Sequence, residues 1–291
     1  MEVPVIFECE GEQLVGIFSE GESETGVLVV VGGPQYRVGS HRQFTLLCRY
    51  LAEAGISSLR FDYRGMGDSR GENHDFEDVQ QDIKAAVDQL FACSPGLKQV
   101  VLWGLCDAAS ANLFYAYTDP RVSGLVLLNP WVRTDEGEAK AYLKHYYVSR
   151  LMDKALWQKI FSGQFDFKQS IASLAGMVMK LVKSNTNTGG GETSAVQQQL
   201  TGNLPERVLQ GLKNFNGQVL LILSGDDLTA DEFRDLVASS ADWKQTLATK
   251  KITQHTLKEA NHTFSCKVWR NQVEQWTADW VLTLSDEHKK N

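Results

Sequence analysis

The pentapeptide Gly104-Leu105-Cys106-Asp107-Ala108 follows the apolar run Val100 to Trp103 and precedes a helix-compatible stretch that reaches Tyr117. A nucleophile held in a sharp turn between strand and helix needs small residues two before and two after it, so that the helix can pack close to the strand. Gly104 and Ala108 meet that condition. With cysteine at the centre, the chemistry is attack of sulfur on an acyl carbon and formation of a covalent acyl-enzyme. The turn also puts Cys106 near a helix N-terminus, where free N–H groups and the helix dipole are expected to favour thiolate over thiol. Taken alone, the same five residues suit a buried cysteine at a helix start.

A nucleophile of this kind needs a base to take its proton and an acid to hold the base, in the chain order nucleophile, acid, base. After the apolar run Val219 to Leu223 comes Ser224-Gly225-Asp226-Asp227, and after the strand-like Ile252 to Leu257 comes Glu259-Ala260-Asn261-His262-Thr263-Phe264. His262 is the candidate base and Asp227 the favoured acid, with Asp226 left to cap a helix beginning near Thr229. Of the other histidines, His74, His255 and His288 read as solvated, while His41 and His145 are candidates to face a pocket. A developing oxyanion needs donors. One is the N–H of Asp107; the second is expected from the loop Gly32-Gly33-Pro34-Gln35-Tyr36-Arg37, where Pro34 has no N–H and Gln35 is the nearest candidate. Gly33, Pro34, Tyr36, Arg37 and His41 of that loop, with Trp131 and Arg133, are the expected substrate-facing residues. The glycine-punctuated stretch Phe61 to Ser69 has no lysine at P-loop spacing and reads as a structural turn.

The elements that must hold these residues are legible as four short runs, Val27 to Val31, Val100 to Trp103, Leu125 to Leu128 and Val219 to Leu223. Each is apolar at every position, which predicts strands covered on both faces. Segments of helical period lie between them, such as Phe76, Val79, Ile83, Val87 and Leu90 with Asp75 placed to cap the first turn. Strands alternating with helices predict a mostly parallel sheet. Val3 to Cys9 and Leu14 to Phe18 flank Glu10-Gly11-Glu12 and predict an antiparallel hairpin at the sheet edge. Trp269, Val273, Trp276 and Trp280 form one face of a last helix, a packing stripe. Between Pro130 and Gly217 no apolar strand-like run occurs, which predicts a helical cap over 131–216 inserted into a core formed by 1–130 and 217–291. The polar stretch Ser184 to Ser194 within it predicts a mobile loop.

Composition narrows the partners. A formal net charge of -7 and the lack of a Lys/Arg cluster argue against nucleic acid. No run approaches the ~18 apolar residues of a membrane span and no leader pattern opens the chain, so a cytoplasmic protein is expected. The five cysteines (Cys9, Cys48, Cys93, Cys106, Cys266) are scattered without a C-x-x-C pair. Neither disulfides nor a metal site is expected, and no cofactor; apart from Cys106 they read as small buried hydrophobes.

The glycine loop, the Asp62-Tyr63-Arg64-Gly65-Met66-Gly67-Asp68-Ser69 turn, the elbow at Gly104 to Ala108, the acid and His262 together resemble the α/β-hydrolase superfamily over nearly the whole chain. A closer resemblance is to the family called exosortase A system-associated hydrolase 1. It is carried by Gly32-Gly33-Pro34-Gln35-Tyr36-Arg37-Val38-Gly39-Ser40-His41-Arg42, Trp103-Gly104-Leu105-Cys106-Asp107, Leu128-Asn129-Pro130-Trp131-Val132-Arg133 and Ser224-Gly225-Asp226-Asp227-Leu228-Thr229-Ala230. The cysteine nucleophile is also similar to that of dienelactone hydrolases. The resemblance implies an α/β-hydrolase fold and an esterase, thioesterase or acyltransferase in the company of extracellular-polysaccharide synthesis. Its partners would be a small acyl ester or thioester and a saccharide acceptor. The competing expectation is a non-catalytic hydrolase-like module that binds a ligand or partner, to which Pro34 points; a redox sensor built on Cys106 lacks a recognisable resolving cysteine.

Overall fold

A computed structural model describes residues 1–133 and 200–288. The interior of the expected cap, including His145 and the loop Ser184 to Ser194, lies outside the described residues. Eight strands form one sheet: β1 (Glu2–Cys9), β2 (Glu12–Ser19), β3 (Thr25–Val30), β4 (Ser58–Asp62), β5 (Gln99–Leu105), β6 (Val122–Leu128), β7 (Gln218–Ser224) and β8 (Ile252–Leu257). Their order is β1-β2-β4-β3-β5-β6-β7-β8. The hairpin β1-β2 is antiparallel, and β2 pairs antiparallel with β4; every later pairing is parallel. The continuous apolar runs have the expected cause. Every residue of β3, β4 and β5 is buried, because helices cover both faces.

The strands outrun the apolar cores that announce them. Polar residues such as Thr25, Gln99 and Ser224 extend the ladders, and all three are buried with side-chain partners. The flanking helices are α1 (Gln43–Glu53), α2 (Gln80–Cys93), α3 (Asp107–Tyr115), α4 (Leu204–Asn214), α5 (Leu228–Ser239), α6 (Ala241–Thr249) and α7 (Lys267–His288). Asp75 caps a short 3-10 turn, Phe76–Asp78, through Glu77 N–H at 3.1 Å, and does not cap α2 itself. On α7, Val273 and Trp280 are buried, with Trp269 and Trp276 packed partly against the same core.

Met1–Arg133 and Leu200–Asn291 form one compact unit. Within 131–216, therefore, α4 stands with the sheet domain. It opens with a capping box between Asn203 and Glu206, and a Cβ on its Gly211 would meet the Leu113 carbonyl of α3 at 2.4 Å. Among the cysteines, Cys9 and Cys48 are buried as expected, but Cys93 is half-buried and Cys266 exposed. Cys266 stands at the surface entry to α7, where no core is available to take it. Among the described residues no helix is long and apolar enough to cross a membrane.

Candidate active site

Cys106 occupies the single residue between β5 and α3, with φ 64° and ψ -124°. A left-handed φ is costly for a residue with a side chain, and it tilts the side chain out of the strand and off the helix. Two close approaches make the turn possible. A Cβ on Gly104 would come within 2.6 Å of Asn112 Nδ2 and 2.7 Å of the Ala108 backbone carbon, so strand and helix meet with no room for a methyl group. A Cβ on Gly32 would lie 2.1 Å from Asp107 Oδ1. Cys106 N–H donates to Leu128 O at 2.9 Å, and Trp131 N–H donates to Cys106 O at 3.2 Å, which locks the turn to the end of β6.

Two strands away, at the end of β7, Asp227 accepts from His262 Nδ1 at 2.9 Å. The imidazole therefore carries its proton on Nδ1 and turns Nε2 outward. Asp227 is 7% exposed and His262 34%, so the acid is shielded and the base accessible. The Asp227 carboxyl is held below the ordinary range: burial works against its charge, but the His262 contact and the N–H groups of Ala230 and Thr229 outweigh it. Asp227 is at once the partner of His262 and the N-cap of α5, accepting from Thr229 N–H at 3.3 Å and Ala230 N–H at 3.1 Å. The expected division of labour with Asp226 is thus corrected. A cap residue already aims its carboxylate across a helix start, and here the histidine loop lies within its reach. Asp226 is exposed, its backbone N–H donating to Ala260 O.

The expectation of a resting thiolate at Cys106 is also corrected. Burial, followed by the Asp107 carboxylate and then Asp227, pushes the thiol up to about 12, against the weaker help of the Asp107 N–H and of Arg133. The helix N-terminus does favour the anion, but its first residue brings a carboxylate that cancels the benefit. The thiol makes no hydrogen bond to the imidazole among the described residues; such contacts often tighten only when substrate is bound. Because only the thiolate reacts with iodoacetamide, the alkylation rate of Cys106 is expected to keep climbing with pH beyond the ordinary thiol range. Asp107→Asn should move that rise to lower pH. Mass spectrometry of the Cys106 peptide across a pH series checks this, and a rate already level at neutral pH would contradict it.

The glycine loop is shaped by the same carboxylate. Asp107 Oδ2 accepts from Gly33 N–H at 2.7 Å and Oδ1 from Ala108 N–H at 2.9 Å. The Gly33 N–H is consequently engaged, Pro34 has none, and Gln35 uses its side-chain Oε1 to accept from Ser40 N–H at 2.9 Å. Arg37 turns to Asp62 and Asp68, with its own N–H on Asp62 Oδ1 at 2.6 Å. Its guanidinium pins the loop to the turn after β4, in keeping with a structural role for Phe61 to Ser69. Pro34 and Tyr36 are exposed, and so is His41, which holds φ 54°. Trp131 and Arg133 follow β6: the guanidinium lies 4.3 Å from the Trp131 ring and 3.1 Å from the Glu232 carboxylate of α5. Contrary to the solvated reading, His255 is stacked on Trp276 at 4.2 Å. Sequence reasoning missed the Asp107 side chain, Ser224 and Asn129, whose only signal was their place at strand ends.

Known proteins share this fold. The family described as serine aminopeptidase, S33 (Hydrolase_4), matches residues 23–265. The polyketide transferase grgF of Penicillium sp is 32% identical over 90 residues, 30% of this chain and 31% of that protein, so the chain spans about a third of this curated relative's length. Among solved structures, the Pyrococcus furiosus esterase Pf2001 superposes with a TM-score of 0.64 at 15% identity, covering 97% of this chain and 90% of that one. Est1E from Butyrivibrio proteoclasticus, with ferulic acid bound, gives 0.59 at 14% identity, covering 96% and 98%. The fold is the α/β-hydrolase fold.

Proposed function

The chain belongs to the serine aminopeptidase S33 family of hydrolases, and we propose that it is an acyl-transfer enzyme in which Cys106 takes the nucleophile's place. The observation that carries this reading is the 2.9 Å pair of Asp227 with His262, set on the strand ends beside an elbow whose central residue holds φ 64°. In the proposed reaction His262 Nε2 removes the thiol proton as sulfur attacks the acyl carbon, since the thiol is protonated at rest. The oxygen of the tetrahedral intermediate is met by the Asp107 N–H and by Gln35. On collapse the bond to the leaving alcohol or thiol breaks, His262 returns the proton to it, and a thioester on Cys106 remains. Water, or an acceptor hydroxyl such as that of a saccharide, then gives its proton to His262 and displaces the sulfur. Asp227 stays ionised and supports the imidazolium.

Thioesters and esters are the substrates this reading favours, because sulfur exchanges readily with acyl thioesters. The resemblance to the exosortase-associated family would place the acyl group on or off a polysaccharide precursor. A panel of p-nitrophenyl esters and acyl thioesters of graded chain length, with an aminoacyl p-nitroanilide for the peptidase chemistry that the family description names, tests it. An acyl group on Cys106 in the mass spectrum, and a burst of product, are expected from the ester or thioester arm. One feature favours the reading of a binding module instead: Gly33 N–H is taken by Asp107 and Pro34 offers none. No burst with any ester or thioester would decide for it.

A further inference from the structure

The side chain that joins the acid's turn to the base's loop is one to which the reaction gives no role. Asn129 directly follows β6, is fully buried and holds φ 43°. Its Nδ2 donates to Ser224 Oγ at 2.7 Å and to the His262 carbonyl at 3.1 Å, while its Oδ1 accepts from Ser224 N–H at 2.9 Å. Ser224 Oγ in turn lies 3.5 Å from Asp227 Oδ2. The backbone of Asn129 donates to Ile222 O at 3.1 Å, and the preceding residue, Leu128, accepts from Cys106 N–H. One planar amide therefore reaches the acid's turn and the base's loop from the strand that neighbours the nucleophile.

We infer that Asn129 is a positioning residue that sets His262 and Asp227 against Cys106 by holding the Ser224 turn and the His262 carbonyl on one side chain. The residue type follows from the site. Two donors and one acceptor are used at once, which a carboxylate or an aliphatic chain of the same size cannot supply. Asparagine also tolerates the left-handed backbone better than most residues with a Cβ. Buried amide networks of this kind are costly when partly satisfied, so each bond here constrains the others. A displacement of the imidazole of about an ångström is enough to cost two orders of magnitude in rate.

The inference rests on the acyl-transfer reading, and the experiment separates the two. Asn129→Asp keeps shape and backbone but puts an acceptor against the His262 carbonyl; Asn129→Gly keeps the left-handed backbone and removes the amide. With the ester that the wild type turns over best, kcat is expected to fall about 10²-fold in both, with KM little changed. In the folded variants the proton bridging His262 Nδ1 and Asp227, followed by NMR, should exchange faster with water than in the wild type. Full kcat in either variant, or a loss of kcat matched by the loss of folded protein, would overturn the inference. His262→Ala serves as the reference: if it too keeps full activity, or if the wild type turns over no ester, the acyl-transfer reading has failed instead. In that case an unchanged proton exchange rate in folded Asn129→Gly still rejects the positioning role.

Discussion

Cys106→Ala is expected to abolish turnover of any ester or thioester substrate, and His262→Ala to lower kcat by about 10²- to 10⁴-fold. The two variants differ in what they leave behind. Without sulfur no covalent intermediate can form. Without the imidazole a thiol already ionised would still acylate and only the second half of the reaction would stall. Since burial and the neighbouring carboxylates hold this thiol protonated, up to about 12, His262→Ala should suppress the acylation burst as well as the steady state. Stopped-flow release of p-nitrophenol reads both phases in one trace. A normal burst followed by a stalled steady state in His262→Ala would show that the sulfur does not depend on this base for its first step.

The second large effect is expected from Gly104→Val. The first atom of any side chain there meets Asn112 Nδ2 at 2.6 Å and the Ala108 carbonyl carbon and oxygen at 2.7 and 2.8 Å. Asn112 could shift, but the Ala108 backbone belongs to the first turn of α3 and can move only if the helix leaves the strand. Overpacking usually costs about 1–3 kcal/mol, and a branched side chain against backbone belongs at the upper end. Activity should fall further than stability, because the helix start and the turn at Cys106 move together. Gly96→Ala is the matched control: a Cβ there meets nothing within 4 Å, and a change within about 0.5 kcal/mol is expected. Urea unfolding and ester kinetics on both variants test the contrast, which fails if the two glycines prove equally tolerant.

Much of this arrangement is legible in the sequence because it is written locally. A strand covered on both faces favours a continuous apolar run, and the runs inside β3 and β5 announce those strands. Cys106, Asp227 and His262 come after the C-terminal ends of β5, β7 and β8, so strands that run parallel carry all three to the same end of the sheet. What the sequence does not display are bonds between side chains and distant backbone. Asp107 reaches Gly33, Asn129 reaches Ser224 and His262, and Arg37 reaches Asp62, each across dozens of residues with no periodicity to betray them. Asp227 serving as both cap and partner is hidden for the same reason: one local rule assigns each aspartate one task, and geometry gives both to a single residue. The protonated thiol is further from view, since desolvation belongs to the packed surroundings of an atom and not to its neighbours in the chain.

The anchorage of the glycine loop has a consequence for how such a site can diversify. With the Arg37 guanidinium engaged by Asp62 and Asp68, and Asp62 fully buried, the loop's path is fixed one residue away from Tyr36, which is 49% exposed. A fixed backbone path and an open surface thereby fall on adjacent positions. The rim can accept new side chains at Tyr36 while the scaffold beneath keeps its contour, whereas an exchange at Arg37 would strand a carboxylate in the interior and disturb the whole loop.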